Sequence, residues 1–312
     1  MCIFASKGGF MSEKKLLFIY NPRSGKGQIK AHLLDIIDTF VKAGYEVTAR
    51  PTQYAGEAVM LAEQIREEYE MVVCSGGDGT LDQVVTGIMR SGRKIPIGYI
   101  PSGSTNDFAN SLYLPKDMKK AAQVAMEGKL LSCDVGEFNK NNFVYIAAFG
   151  MFTEVSYETD QEMKNLLGHM AYVLEGAKKL TAIKSYRMKI VTEDQVIEDE
   201  FLLGMVTNSI SVGGFKGMTG RVVDLSDGQF EVTLIKRPRH LEDLNQIINA
   251  VTMRDIDAAR MYCYQASRLE FFCEEEVAWT LDGEFGGKHT QVLLENRQQA
   301  MQIVVPCETI RL

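Results

Sequence analysis

The chain has 312 residues, 46% of them hydrophobic and 24% charged, and a formal net charge of −7. That length leaves room for two domains, and the composition is that of an ordinary soluble globular protein. The acidic balance argues against nucleic acid as the main partner, because a phosphate backbone asks for a basic footprint. Six cysteines (Cys2, Cys74, Cys133, Cys263, Cys273 and Cys307) form no CxxC pair. They read as reduced thiols of a cytoplasmic protein rather than as disulfides or a zinc knuckle. No apolar run approaches the ~18 residues of a spanning helix. Met1 to Phe10 is too short and too polar for a signal peptide. It reads as an extension before Met11-Ser12-Glu13-Lys14-Lys15, which looks like a natural beginning.

Taken in order, Leu16 to Tyr20 is a first strand, closed by Asn21-Pro22 and the polar loop Arg23-Ser24-Gly25-Lys26-Gly27. A helix follows, with Leu33, Leu34, Ile36, Ile37, Phe40 and Val41 as its apolar face, and Gly44 ends it. Tyr45 to Ala49 is a second strand, and Gly56 to Glu68 a helix. Met71 to Cys74 is a buried strand that stops at Ser75-Gly76-Gly77. Leu81, Val84, Val85, Ile88 and Met89 then recur at helical spacing. Ile95 to Pro101 is a fourth strand, Ser102 to Asp107 a second polar turn, and Met118 to Met126 a helix. This alternation predicts a mostly parallel sheet with helices on its faces. Ligands of such sheets sit beyond the carboxyl ends of the strands, where the loops 21–27, 75–80 and 102–107 all fall.

After Cys133 the texture changes to strands: Val135 to Phe138, Phe143 to Phe149, Tyr186 to Thr192, Glu200 to Thr207, Phe230 to Ile235, Ser267 to Cys273 and Ala278 to Leu281. Only Met163 to Leu180 and Leu241 to Thr252 have helical periodicity. Asp282-Gly283 and Gly286-Gly287 read as tight turns. The expected architecture is therefore α/β with two domains, residues 12–133 forming an α/β unit and residues 134–297 a mainly antiparallel β unit. The last apolar run, Met301 to Val305, could pair with either.

The stretch Gly76-Gly77-Asp78-Gly79-Thr80 joins a strand to a helix N-terminus, whose free N–H groups and positive dipole end favour an anion. A carboxylate, Asp78, in the middle of such a turn calls for a cation or a proton in transit. These residues point to a nucleotide-phosphate site with Mg²⁺ near Asp78.

Together with Asn21-Pro22-Arg23-Ser24-Gly25-Lys26, Pro101 to Ala109, Asp227-Gly228 and Leu281-Asp282-Gly283-Glu284, that turn resembles the diacylglycerol kinase catalytic domain, in the order of the bacterial YegS/BmrU-like lipid kinases. GGDGT alone is shared with NAD kinases and phosphofructokinases. The resemblance covers the chain from about Lys14 onward. It implies an α/β nucleotide domain, a β-sandwich lipid-substrate domain and an active site in the cleft between them, with the C-terminal strand, within 298–312, returning to the first.

By the same resemblance ATP is held by Asn21, Pro22, Arg23, Ser24, Gly25, Lys26, Thr52, Gly76, Gly77, Asp78, Gly79, Thr80 and Ser104. Asp78 acts through Mg²⁺ or its water shell, and Glu284, supported by Asp282, is the catalytic base. A further Mg²⁺ is expected at Asp227, with main-chain oxygens of Asp224 and Gln229. Two departures stand out. Asp82-Gln83 replaces the Asn-Glu that many members carry after GGDGT, and the first loop has Arg23.

The activity implied is transfer of the γ-phosphate of ATP to a lipid hydroxyl, with diacylglycerol giving phosphatidic acid. A kinase for another lipid alcohol or for NAD is the alternative enzyme. A nucleotide- or lipid-sensing module is the non-catalytic one. Lys178, Lys179, Lys184, Arg187 and Lys189 lie in a stretch free of acids, Gly176 to Thr192, and offer either a solvated face or transient contact with an anionic membrane surface. Gly213 to Gly217 is a turn that could line the lipid cleft. Asn106-Asp107 is expected to cap a helix over Phe108 and Leu112. The expected localisation is cytoplasmic with peripheral membrane association, and the expected partners are the lipid substrate, the membrane surface and a second copy in a homodimer.

Overall fold

A computed structural model describes residues 14–150, 184–209, 211–212, 215–216, 223–240, 242–243, 246–247 and 260–308. The expected helix Met163 to Leu180, most of Leu241 to Thr252, Lys178, Lys179, the side chain of Lys26 and the opening ten residues lie outside the described residues. Of the Gly213 to Gly217 turn only Phe215 and Lys216 are described.

Strands β1 (Lys14–Tyr20), β2 (Tyr45–Pro51), β3 (Tyr69–Gly76) and β4 (Ile97–Pro101) are parallel, in the spatial order β4-β3-β1-β2. Their connections are α1 (Ile29–Lys42), α2 (Glu57–Glu63) and α3 (Asp78–Ser91). Two further helices follow β4: α4 (Asp107–Ser111) and α5 (Met118–Glu127). The apolar residues of this sheet face two ways. Phe18, Met71 and Val73 pack with Ile36 and Phe40 of α1 and with Ala121 and Ala125 of α5. Leu17, Val72 and Ile97 pack with Val84, Val85 and Ile88 of α3. Continuous apolar strands are what a sheet covered on both faces requires.

The remaining strands are β5 (Lys129–Phe138), β6 (Asn141–Phe143), β7 (Ile146–Gly150), β8 (Tyr186–Val191), β9 (Val196–Thr207), β10 (Ser211–Val212), β11 (Phe215–Lys216), β12 (Phe230–Lys236), β13 (Met261–Ala266), β14 (Arg268–Leu281) and β15 (Glu284–Val305). Their pairings are antiparallel, apart from one parallel contact of β15 with β4. One sheet runs β13-β12-β9-β7-β14-β15-β4-β3-β1-β2 among the described residues. Its β-rich half has an aromatic core in which Trp279 meets Phe138, Phe149 and Phe271 with ring centroids 4.9 to 5.1 Å apart.

Several boundaries differ from those read in the sequence. Helix α2 stops at Glu63, where the N–H of Gln64 closes the last turn on Met60, and does not reach Glu68. Leu34 and Val41 are not part of the α1 apolar face: they are 83% and 55% exposed, and Ile29, Ile36 and Phe40 are the buried positions. The run Phe143 to Phe149 is two strands rather than one, for a reason given below. Ser267 to Cys273 and Ala278 to Leu281 are one strand with an irregularity between Phe272 and Val277. Gly286-Gly287 is no turn. It lies inside β15, opposite an irregularity at Trp279 and Thr280.

Candidate active site

The carboxyl ends of β1, β3 and β4 release three loops that are tied to one another by backbone. Asn21 N–H donates to Ser75 O at 2.8 Å, and Ser102 N–H to Gly76 O at 2.8 Å. The contacts leave no room for side chains. A Cβ on Gly25, whose φ is +53°, would lie 1.8 Å from Ser102 O, and one on Gly103 would lie 2.4 Å from Gly77 Cα. The three glycine loops named in the sequence are thus one structure.

Helix α3 begins directly behind Gly77, so its first N–H groups face the same opening. The carboxylate of Asp78 does not face it alone. Its Oδ2 accepts the N–H of Asp107 at 2.9 Å and its Oδ1 that of Phe108 at 3.3 Å. Asp78 therefore caps α4, and Asn106 and Asp107, the expected caps, do not. Asn106 has φ +52° and uses its side chain to hold both the N–H and the carbonyl of Gly103. Burial pushes Asp78 up to about 7, with the Asp107 carboxylate adding to the rise and the two N–H bonds opposing it.

The second part of the site comes from far along the chain. Asp282 and Gly283 have φ of +49° and +84°, the pattern of a two-residue type I′ turn between β14 and β15. The Asp282 carboxylate is buried and accepts three consecutive backbone N–H groups, from Val144 at 2.6 Å, Tyr145 at 3.0 Å and Ile146 at 2.9 Å. Those N–H groups cannot also serve a sheet ladder, which is why the apolar run 143–149 breaks between β6 and β7. Burial raises Asp282 to about 6, with the three N–H bonds opposing.

Glu284 follows this turn and is exposed. A Cβ added at Gly79 would lie 2.6 Å from Glu284 Oε1, so the carboxylate rests on the glycine of the GGDGT turn.

Between these parts lies an open cleft of about 390 Å³. It is lined by Asn21, Arg23, Ser24, Thr52, Gly77, Gly79, Thr80 and Glu284, and also by Gln53, Tyr54, Ala55, Ala58 and Gln83. The expected residues Pro22, Gly25, Gly76 and Asp78 are not among the lining residues, and neither is Ser104, which is exposed. Gln53, Tyr54 and Gln83 were not expected. Tyr54, 60% exposed in the loop that precedes α2, has no periodicity or motif to mark it.

Asp224, Asp227 and Gln229 form a separate turn. Asp224 Oδ1 accepts from the N–H and hydroxyl of Ser226, and Asp227 Oδ1 accepts the Gln229 N–H at 2.9 Å. The turn is fastened by Asp134, which accepts the N–H groups of Gly228 and Gln299, each at 2.7 Å. Among the described residues no three His, Cys, Asp or Glu side chains converge as a metal cage. Lys184, Arg187 and Lys189 are exposed, yet β9 places Glu200 opposite Arg187 and Glu198 opposite Lys189. A stretch free of acids in sequence is not free of them in space. Among the described residues, no helix is long and apolar enough to cross a membrane.

The chain has relatives among known proteins. Residues 15–138 match the diacylglycerol kinase catalytic domain model. A diacylglycerol kinase of Staphylococcus carnosus is 34% identical over 295 residues, 94% of this chain and 95% of that protein. One of Bacillus subtilis is 33% identical over 276 residues, covering 88% and 91%. The chain belongs to the diacylglycerol kinase family. It is an enzyme of the lipid kinase class. A crystal structure of a diacylglycerol kinase from Bacillus anthracis str. Sterne has the same fold, with a TM-score of 0.79 at 24% identity, over 95% of this chain and 98% of that one.

Proposed function

We propose that the enzyme transfers the γ-phosphoryl group of ATP to the free hydroxyl of diacylglycerol, giving phosphatidic acid and ADP. The observation that carries this reading is the contact of Glu284 with Gly79, which sets a carboxylate over a glycine phosphate turn at the edge of a nucleotide-sized cleft. Phosphoryl transfer asks for positioning and charge stabilisation, and an alcohol acceptor asks in addition for a base at the attacking oxygen. Asn21, Arg23, Ser24, Thr52 and the N–H groups at the start of α3 hold the nucleotide. Glu284 takes the hydroxyl proton as the lipid oxygen attacks in line and the bond to the β-phosphate oxygen breaks. Asp282 holds the turn that presents it.

The carboxylates of Asp107 and Asp282 raise the cost of ionising Asp78, a cost that a cation beside Asp78 would offset. Mg²⁺ beside Asp78 would supply neutralisation of the triphosphate. The Asp224 to Gln229 turn, with an exposed carboxylate at Asp227 and carbonyl oxygens around it, suits a second hard cation.

In this reading residues 12–133, with the end of β15, form the nucleotide unit, and residues 134–297 the lipid unit, an antiparallel sandwich. The acceptor lies in a bilayer, so contact with a membrane surface belongs to the same proposal. Phe285, 69% exposed beside Glu284, offers an apolar side chain on that side. The expected homodimer is tested by sedimentation.

The test is labelled ATP with mixed lipid vesicles. A labelled product extracting into organic solvent, largest with diacylglycerol, is expected; label confined to a water-soluble dinucleotide would overturn the lipid acceptor.

A further inference from the structure

Strand β2 ends the parallel half of the sheet: it pairs with β1 and, among the described residues, with no other strand. The N–H of Thr52, just past its end, donates to Tyr20 O of β1 at 2.9 Å. Backbone groups alternate in direction along a strand, so those of Thr48 also face β1, and those of Val47 and Ala49 face the open side. An open row of this kind recruits another chain unless it is blocked. Pro51, with no N–H to offer, closes only the last position.

The side chains of β2 divide between two faces. Tyr45, Val47 and Ala49 pack toward α1 with Phe18 and Phe40, and are only half-buried. Glu46, Thr48 and Arg50 lie on the other face, with both charged residues exposed. Glu46 and Arg50 are about 13 Å apart along the strand, too far to pair with each other. Neither has an ion-pair partner among the described residues.

Helix α1 adds uncovered apolar surface beside this edge. Its Asp35 pairs with Lys119 of α5, so one flank of α1 faces the helix that packs over β3 and β4. Leu34, Ile37 and Val41 recur at helical spacing on the opposite flank, the one toward β2. Leu34 and Val41 are exposed and Ile37 is half-buried.

We propose that the β2 edge is an interface, and that its occupant is the same edge of a second copy of this chain. Two β2 strands laid antiparallel about a two-fold axis through Thr48 set Glu46 of each opposite Arg50 of the other. Val47 and Ala49 exchange N–H···O bonds across the seam. The charged pairs fall at the non-hydrogen-bonded positions, where side chains come closest. Moving the axis by one residue sets Glu46 or Arg50 beside Thr48 instead, so the charges select this register. The apolar flanks of the two α1 helices meet over the seam and cover Leu34, Val41, Val47 and Ala49. Both open edges are consumed, so assembly stops at two. The inference gives the homodimer named above its surface, and rests on that reading.

Sedimentation of the full chain over a range of concentrations is the test. Glu46→Arg and Arg50→Glu each turn two attractive cross-strand pairs into repulsive ones, and should raise the dimer Kd about 10- to 100-fold. The double variant restores both pairs with signs exchanged, and should return Kd to within about threefold of the wild type. Both side chains are exposed, so each variant should fold. Single variants that dimerise as the wild type does, or a double variant as weak as the singles, overturn the proposal.

A second measurement reads the register directly. Thr48→Cys sets two thiols across the axis with Cα atoms about 4.5 Å apart, within reach of a disulfide. Oxidised glutathione, itself reduced to the thiol, should link them into a covalent dimer that Thr48→Ser does not form. A Thr48→Cys dimer that stays unlinked overturns the proposal. A wild type that is monomeric at every concentration overturns the homodimer along with it, whereas a dimer indifferent to the charge reversals overturns this interface alone.

Discussion

The Asp78 carboxylate, on the first turn of α3, accepts the backbone N–H of Asp107 at 2.9 Å and so caps the start of α4, a helix it does not belong to. The central residue of the phosphate turn therefore also orders the neighbouring loop. Asp78→Ala should abolish turnover and in addition cost about 0.5–2 kcal/mol, the range of a lost cap. Urea unfolding and the vesicle assay read the two effects separately. A variant of unchanged stability would mean that the cap contributes nothing.

Stability of the metal-free enzyme should fall as pH rises. Asp78 and Asp282 hold their protons to about 7 and about 6 in the folded chain, against an ordinary 3.8. Between those values the folded state binds more protons than the unfolded one, so the stabilisation is complete below the ordinary value and lost through the raised one. The slope is at most about 1.4 kcal/mol per pH unit for each group. Urea midpoints measured with a chelator from about pH 5 to 8 should decline, and Mg²⁺ should reduce the decline at the alkaline end by favouring the ionised cluster. A midpoint rising over that interval would contradict the raised values.

Two alanines added to glycines of neighbouring loops should fail differently. At Gly79 the new methyl meets only the end of the flexible, exposed Glu284 side chain. Folding should survive, and kcat should drop about 10- to 100-fold as the base is displaced. At Gly103 the methyl meets the backbone of Gly77, which cannot step aside, so a loss of about 1–3 kcal/mol is expected. Equal stability losses in the two variants would show that Glu284 is not free to move.

The Asp282-Gly283-Glu284 turn allows structure and chemistry to be separated by two residues. Asp282→Ala strands three buried N–H groups, each worth about 1–3 kcal/mol when left without an acceptor, and should bring the chain close to unfolding. Glu284→Ala removes an exposed side chain, should change stability by less than about 0.5 kcal/mol, and should abolish phosphorylation. An active Glu284→Ala enzyme would take the base role from that residue.

How much of this was legible depends on the range of the interactions involved. The strands and helices up to Glu127 follow from apolar spacing, and the loops at their ends from glycine, because both are local signals. That Gly25 meets Ser102 and Gly103 meets Gly77 is long-range packing, visible in sequence only as glycine. The break at Val144 and Tyr145 was hidden because its cause, Asp282, lies more than a hundred residues away. Leu34 fits the α1 apolar pattern, yet the covering elements do not reach it. Tyr54 and Gln83 carry no motif, and only the closing of the cleft shows them.

Strand β15 has a consequence for the order in which the protein can be made. Its first residue is Glu284 and its last residues, Met301 to Val305, pair with Lys129 to Cys133 of β5, while Ile303 also meets Ile97 of β4. The segment matched by the catalytic-domain model, residues 15–138, ends with β5 and so includes neither the base nor the strand that closes its own sheet. A nascent chain at that point presents the open edges of β4 and β5, the kind of edge that recruits other chains. Sheet closure and the arrival of Glu284 await the same late piece of polypeptide. Truncations after β5 should accordingly aggregate rather than yield a nucleotide-binding fragment, and activity during synthesis should appear only once the last strand has left the ribosome.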